Sequence, residues 1–338
     1  MALTNMNFKR VKHRILEELD ATRKIAKLTS WADALTTFIA KVDIQIMNHN
    51  GYKEYPLFKK HLLKKHEVML NYLEQCYSDF FKTYDFEHVL LEDSTNMENV
   101  IWVCWWQGEE QAPAIVKRCI DSIRKNAPGH KVIVITEDNY KEYVAFPEWV
   151  EEKRKLGIFS RTHYSDLLRL SLLAQYGGMW IDSTFFCVGD KLADYFKCPL
   201  WSIKRPDYLH ASVASGYFAG YSWYCNKDNR KIFIVIRDIA FYYWKHYSFL
   251  VDYLLVDYWV VLAQRHYDWI KDAFNNIPPN NPMCDELYKI LGEKYDENKW
   301  NELKQNTYLF KLTWKQTYPL EREGKKTFYG KLLNGELK

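Results

Sequence analysis

Three short apolar runs separated by helical segments constrain the fold of this chain more than any other feature. The runs are VIWVCWW (100–106), KVIVIT (131–136) and MWID (179–182). The intervening segments, about 113–126 and about 162–176, have the apolar spacing of helices. Strand, helix and strand in succession predict parallel strands, because parallel neighbours need a crossover connection. We therefore expect an α/β domain with a mostly parallel central sheet.

Later segments extend this pattern. Apolar runs at 200–203 and 216–219 are expected to complete the sheet, and two helices are expected near 229–247 and 251–267. The aromatic run YLFKLTWK (308–315) predicts one more strand.

The first 97 residues differ in character from the rest. Their apolar residues recur at helical spacing from Phe8 onward, Ser30 can cap a second helix, and Pro56 can begin a third. We predict a helical N-terminal region over 1–97, followed by the α/β domain over 98–338.

Two basic clusters lie in this helical region, FKRVKHR (8–14) and FKKHLLKKH (58–66). They are either solvated helix faces or a peripheral contact with anionic lipid, which Lys/Arg clusters on amphipathic helices favour.

Composition excludes several classes of protein. The net charge of +4 in 338 residues is too small for a dedicated nucleic-acid binder. Seven cysteines without a C-x-x-C pair indicate reduced thiols. Because no secretory leader and no run of about 18 apolar residues is visible, we expect a cytoplasmic protein that does not span a membrane.

Polar and aromatic residues follow the predicted strands. Trp106 and Gln107 end the first run, and Asp182 ends the third. Ligands of open α/β sheets bind beyond such carboxyl ends. Asp166 and Arg169 lie three apart on the preceding helix and share a face. Taken alone, that couple is explained more simply by an intrahelical ion pair.

The order of these residues adds a further argument. YSDLLRLSLLAQYGGMWIDST (164–184) resembles the motif S-D-x-x-R, then G-G-x-x-x-D, of D-x-D glycosyltransferases that use sugar nucleotides. These include capsular polysaccharide synthesis proteins, yeast mannosyltransferase and α-galactosyltransferase relatives, and clostridial glucosylating toxins. The likeness to the capsular proteins runs from about Val100 to Trp314 and includes SGYFAGY, VDYLLVDYW and FKLTWK. It implies a GT-A fold, which is Rossmann-like, and retention of anomeric configuration.

The resemblance also implies a set of donor-binding residues. They are Trp105, Trp106, Gln107, Asp166, Arg169, Gly178, Lys311 and Lys315. Trp106 would lie against the base, and Asp166 and Arg169 would contact the sugar and phosphates. Gly178 would keep side chains away from the donor. Lys311 and Lys315 would neutralise the diphosphate, although two exposed lysines beside a strand would look the same.

A divalent cation, Mn²⁺ or Mg²⁺, is the cofactor that the resemblance implies. Asp182 would be its first ligand and Thr184 its second. The sequence departs from the full motif, because Asp182-Ser183-Thr184 replaces D-x-D. Hard cations prefer oxygen ligands, and losing a carboxylate weakens such a site.

The candidate catalytic residues are Asp182, Asp166, Arg169 and Asp257. The reaction needs positive charge near the leaving diphosphate. Asp257 lies in an otherwise apolar helix and could orient the acceptor hydroxyl, although a buried salt bridge is an equal explanation.

These patterns predict a glycosyltransferase acting from a nucleotide-sugar donor, with UDP-hexose as the leading candidate. The acceptor would be a growing, lipid-linked capsular or surface polysaccharide at the inner face of the plasma membrane. A toxin-like protein glycosyltransferase is one alternative, against which the capsular-type flanking segments argue. A catalytically inactive nucleotide-sugar or carbohydrate-binding protein is another, which the incomplete D-x-D favours.

Overall fold

Strands and helices alternate through most of the chain. The computed structural model describes residues 8–86 and 97–337. Its strands are β1 (Val100–Cys104), β2 (Lys131–Ile135), β3 (Gly178–Ile181), β4 (Phe185–Cys187), β5 (Leu200–Ser202), β6 (Ser222–Cys225), β7 (Leu309–Lys311), β8 (Glu321–Arg322) and β9 (Lys325–Lys326). Its α-helices are α1 (Phe8–Leu28), α2 (Trp31–His49), α3 (Pro56–Cys76), α4 (Ser78–Thr83), α5 (Ala114–Asn126), α6 (Glu148–Lys155), α7 (Arg161–Tyr176), α8 (Arg230–His246), α9 (Leu255–His266), α10 (Asp268–Asn275), α11 (Leu287–Ile290), α12 (Glu297–Leu303) and α13 (Phe328–Leu333).

A five-stranded sheet of order β2-β1-β3-β6-β5 forms the centre of the fold. The strand β1 pairs in parallel with β2 and β3, whereas β6 is antiparallel to both β3 and β5. Four of the five strands therefore point the same way. The predicted α/β class with a mostly parallel sheet is confirmed.

The middle of this sheet is buried on both faces. Ile101, Trp102 and Val103 of β1 and Met179 and Ile181 of β3 are all inaccessible to solvent. Uninterrupted apolar runs are what such doubly covered strands require.

Two segments differ from the sequence expectation. The run 216–219 is a loop, and the strand beside β5 is β6 instead. The loop turns back sharply, since Gly216 has φ +80° and its carbonyl accepts from the Arg205 amide at 2.6 Å. The helix expected near 251–267 begins only at Leu255. Asp252 precedes it and accepts from the Leu254 amide at 3.0 Å.

A short two-stranded sheet joins distant parts of the chain. The strand β7 pairs antiparallel with β4, with Lys311 opposite Phe185. The ladder continues one step, because the Leu312 amide donates to the Thr184 carbonyl at 2.9 Å. Residue 311 is thereby fixed beside the 182–184 motif by backbone pairing.

The N-terminal helices pack onto the α/β domain. Ser30 caps α2 and Pro56 begins α3, as predicted. Lys65 of α3 forms an ion pair of 2.7 Å with Asp252, and both side chains are buried. The predicted boundary near residue 97 adjoins residues 87–96, which lie outside the described residues, and it stays a prediction.

The helices within residues 8–86 and 97–337 include no candidate membrane span. None of them combines the length and the apolar character that crossing a bilayer requires.

A substitution at Gly178 tests whether close backbone packing at the start of β3 limits the stability of the fold. A Cβ at this position would lie 2.7 Å from the Val100 carbonyl oxygen and 2.8 Å from that of Met97, at φ +84°. We expect Gly178→Ala to lower the free energy of unfolding by on the order of 3–5 kcal/mol, measured by urea denaturation.

The matched control is Gly157→Ala. Gly157 has φ +72° but nothing within 4 Å of its Cβ position. Gly157→Ala should lower the free energy of unfolding by only about 1–2 kcal/mol, which is the penalty of the left-handed backbone alone. Equal losses in the two variants would mean that close backbone packing at Gly178 is not limiting.

Candidate active site

A cavity of about 630 Å³ lies at the sheet edge where β1 and β3 end. Its walls come from the segment after β1, α7, the loop between β5 and β6, the start of α9 and the end of β7. The predicted site residues that line it are Trp105, Trp106, Gln107, Asp166, Arg169, Asp182, Thr184, Asp257, Lys311 and Lys315. Parallel strands that end at one edge, together with the β4–β7 pairing, bring these distant residues into one cleft.

Lys311 is bound to the two residues predicted to hold a metal. Its Nζ lies 2.7 Å from Asp182 Oδ2 and donates to Thr184 Oγ1 at 2.8 Å. The other carboxylate oxygen of Asp182 accepts from Trp180 Nε1 at 3.1 Å. The ammonium therefore supplies positive charge directly at the 182–184 motif.

The Asp182 carboxylate is kept ionised by its surroundings. Burial alone would raise its pKa, but the charges of Lys311 and Arg169 and the hydrogen bonds from Lys311 and Trp180 outweigh burial. The pKa of Asp182 is consequently lowered below its usual value. The side chain keeps 29% of its surface exposed, so it is reachable from the cavity.

Arg169 forms the centre of the buried charges. It donates to Asp166 Oδ1 at 2.6 Å and to the Gly220 carbonyl, and both members of the ion pair are buried. Burial raises the pKa of Asp166, and the nearby charges of Asp182 and Asp257 raise it further, against the opposing effect of Arg169. The predicted intrahelical ion pair is thus present, and it faces the cavity.

Asp257 has a different environment from the other two carboxylates. Its Oδ2 accepts from Ser212 Oγ at 2.6 Å, and its Oδ1 has no hydrogen-bond partner among the described residues. Burial raises the pKa of Asp257 to about 6. Gly220 leaves room for this carboxylate, because a Cβ there would lie 2.7 Å from Oδ1. Its one side-chain partner is therefore a hydroxyl, and its second oxygen is buried beside Gly220 without a hydrogen bond among the described residues.

The aromatic residues divide into a buried and an accessible set. Trp106 is only 7% exposed, and its Nε1 donates to Ser165 Oγ at 2.8 Å. Trp105 is half-buried and stands perpendicular to Trp314, with ring centroids 5.7 Å apart. Trp314 is 46% exposed. The pair Trp105 and Trp314 is therefore better placed to stack against a planar ligand than Trp106.

Gly178 does not belong to the site, which corrects the sequence prediction. It lies at the start of β3, at the opposite end from Asp182, and does not line the cavity. Its positive φ and its closeness to the Val100 and Met97 carbonyl oxygens explain the glycine instead.

Arg205 is a cavity residue that the sequence patterns do not indicate. Its guanidinium binds Asp285 at 2.8 Å and Tyr221 Oη at 3.0 Å, and its side chain is 9% exposed. Its Nε and Nη1 have no partner among the described residues, although the residue lines the cavity. The fold of the 203–221 loop creates this position, so no local pattern reveals it. Trp314 did have a signal, because it lies within FKLTWK.

The groups in the cavity do not fit a divalent cation. Within residues 8–86 and 97–337, no three His, Cys, Asp or Glu side chains are grouped so that they could hold a metal ion. Asp166 is bonded to Arg169, and Thr184 already accepts from Lys311. A metal on Asp182 and Thr184 would therefore have to displace an ammonium group from both of these ligands.

Comparison with known proteins identifies the family. A family model described as capsular polysaccharide synthesis protein matches residues 49–332, so the chain belongs to that family. The match begins well before Val100 and includes α3 and α4, which the sequence resemblance had left outside. No curated protein and no solved structure matches the chain.

The burial of Asp257 predicts a pH effect on stability. In the folded protein the pKa of Asp257 is about 6, whereas an unfolded aspartate ionises near 3.9. Between these values only the unfolded state has lost the proton, so stability falls as pH rises. Relative to Asp257→Asn, the free energy of unfolding should fall by about 2–3 kcal/mol from pH 4 to pH 6.5.

Urea denaturation across this pH range measures the effect. Asp121→Asn is the control, because the Asp121 side chain is 52% exposed and lies on α5 away from the cavity. A pH-independent difference between wild type and Asp257→Asn, or one of opposite sign, would contradict the assignment.

Proposed function

We propose that this protein is a glycosyltransferase that moves a sugar from a nucleotide-sugar donor to a growing capsular or surface polysaccharide. The family suggests a role in capsule synthesis. The observation that carries the proposal is the convergence of Asp166, Arg169, Asp182, Asp257 and Lys311 on one cavity. A GT-A fold, a UDP-hexose donor, a lipid-linked acceptor and retention of configuration follow from the sequence resemblance and belong to the proposal.

The proposed donor pose follows the charges and the aromatic rings. The base stacks in the region of Trp105 and Trp314, the accessible rings of the cavity. The diphosphate lies toward Lys311 and Lys315, the lysines that line the same wall. The sugar then lies toward the Asp166–Arg169 pair, whose hydrogen bonds fix both side chains before a ligand arrives.

The proposed reaction transfers the sugar from a diphosphate oxygen to an acceptor hydroxyl. The bond between sugar C1 and the diphosphate oxygen breaks, and the nucleoside diphosphate leaves with the electron pair. The acceptor hydroxyl oxygen bonds to C1, and its proton passes to the Asp257 carboxylate. Positive charge from Lys311 and Arg169 stabilises the leaving group. Asp257 can accept the proton only when ionised, which above pH 6 is its main form.

A non-catalytic nucleotide-sugar-binding protein is the second candidate. It is favoured by Thr184, which stands where a full D-x-D has a carboxylate. It predicts donor binding without turnover, so the two functions are separated by the same assay.

Nucleotide release from a panel of donors tests the proposal. We expect slow, selective hydrolysis of one among several UDP- and GDP-sugars by the purified protein. Asp182→Asn should lower this rate on the order of 10²–10³-fold, since it loses the carboxylate that holds Lys311 over the leaving group. The release of UDP or GDP is the readout.

The matched control is again Asp121→Asn, which should keep the wild-type rate. Donor binding without release for every sugar tested would favour the non-catalytic candidate. Undiminished release by Asp182→Asn would contradict the proposed site.

We also propose a peripheral membrane contact through the N-terminal helices. The helix α2 exposes Trp31, Leu35, Ile39, Val42 and Ile46 at helical spacing, and Trp31 is 69% exposed. An apolar stripe on a solvent-facing helix indicates a contact surface. Exposed basic residues on the flanking helices favour an anionic bilayer as that partner. They are Arg23, Lys27, Lys60 and Lys64.

The basic cluster at 58–66 is only partly exposed to solvent. Lys65 and His66 of the 58–66 cluster are buried. His66 Nδ1 lies 2.6 Å from Tyr258 Oη, and its Nε2 lies 2.8 Å from the His210 carbonyl oxygen. These two residues therefore anchor α3 to the α/β domain rather than face solvent. The side chains of the 8–14 cluster lie outside the described residues.

Vesicle sedimentation tests the membrane contact. We expect binding to phosphatidylserine vesicles that weakens as salt rises, because exposed charges are screened. The double variant Leu35→Ser/Ile39→Ser should reduce the bound fraction about fivefold or more, because partition follows buried apolar area.

Leu156→Ser is the control, since Leu156 is 76% exposed beyond the end of α6. Equal binding by all variants would rule out the stripe. A change in oligomeric mass without a change in vesicle binding would assign the stripe to a second copy of the chain.

A further inference from the structure

We infer that the Lys311 ammonium takes the place of a divalent cation in this cavity, so that the protein binds its nucleoside diphosphate without metal. The inference rests on the proposed function and identifies what neutralises the donor. Three independent observations support it: where the lysine is fixed, what it contacts, and which ligands are absent around it.

The position of Lys311 is set by the backbone. Residue 311 lies opposite Phe185 in the β4–β7 ladder, and the amide of Leu312 continues that ladder to Thr184. On its other side, the Lys311 amide donates to the Cys284 carbonyl at 2.9 Å. The ammonium group is thus anchored from two directions, close to the 182–184 motif.

The contacts of the ammonium are those that a bound cation would make. Its Nζ is within hydrogen-bond distance of Asp182 Oδ2 and Thr184 Oγ1. The rings of Phe185 and Tyr221 flank it, with centroids 5.2 and 5.3 Å from Nζ. An ammonium has three donors, and two are used by the protein. The third is available to a diphosphate oxygen in the cavity.

The ligand set explains why a lysine suits this site. In place of a second carboxylate the motif has Thr184, whose neutral hydroxyl accepts from the ammonium. One carboxylate and one hydroxyl match a single positive charge. Within the described chain no cluster of three metal-binding side chains offers an alternative. A dication at Asp182 would also be held close to the Lys311 charge, which repels it.

The consequence for the reaction concerns only the leaving group. When the bond from C1 to the diphosphate oxygen breaks, charge develops on that oxygen and remains with the nucleoside diphosphate. Lys311, which is held by Asp182, stabilises this charge electrostatically. Lys315 lines the same cavity. Because the lysine is placed before the ligand arrives, little reorganisation is needed.

Calorimetric titration with UDP and GDP tests the inference. For whichever nucleotide binds, the wild-type affinity in excess EDTA and in Mg²⁺ or Mn²⁺ should differ by less than about threefold. In EDTA, Lys311→Met should lower the affinity about 10–100-fold, as expected for a lost charge-assisted hydrogen bond. Lys311→Arg, which keeps the charge, should retain most of it.

Two controls make a loss of affinity interpretable. Lys197→Ala removes a lysine that is 77% exposed and paired with Asp194, and it should bind like wild type. Thermal unfolding of Lys311→Met reports whether the fold survives. If it does not, the wild-type comparison between EDTA and Mg²⁺ or Mn²⁺ decides the inference. A paramagnetic titration with Mn²⁺, in the presence of the nucleotide, should detect no stoichiometric metal on the wild type.

Wild-type binding that requires Mg²⁺ or Mn²⁺, with one metal bound per chain, would overturn the inference and leave the proposed function standing. Unchanged affinity in Lys311→Met would overturn it as well. Absence of UDP and GDP binding under every condition would remove the proposed function and the inference together.

Discussion

The ion pair between Asp182 and Lys311 is the contact on which the site depends. It joins residues 129 apart in sequence, and it does so through the pairing of β4 with β7. Without that pairing the cavity would lose one wall, and Asp182 would lose one of the two positive charges that lower its pKa. The C-terminal segment therefore completes a site that the parallel strands begin.

Further buried charges lie beside this pair, on Arg169, Asp166 and Asp257. Arg169 lies near Asp166, Asp182 and Asp257, and the three carboxylates differ in how they are stabilised. Asp166 has an ion pair, Asp182 has a lysine and an indole N–H, and Asp257 has one hydroxyl. Such differences separate the pKa values of neighbouring carboxylates, which lets chemically identical groups take different roles.

Much of this site could be predicted from sequence, because it follows local rules. Asp166 and Arg169 share a helix face, and Asp182 follows a buried strand, so their convergence is a consequence of parallel topology. The attachment of Lys311 to Asp182 could not be read in the same way, since it depends on long-range strand pairing. The assignment of Gly178 to the site is wrong. Glycine is expected both where a ligand needs open space and where backbone atoms crowd the Cβ position, so the residue type does not separate the two cases. The strand at 222–225 was placed at 216–219 because short apolar runs look alike until a turn such as that at Gly216 is known.

The most direct test of this account is a crystal structure of the protein with a nucleoside diphosphate, grown in the presence of chelator. The account predicts a terminal phosphate oxygen about 3 Å from Lys311 Nζ, with the lysine still bound to Asp182. A diphosphate seated elsewhere, or Lys311 turned away from an Asp182 that holds the nucleotide by other means, would contradict it.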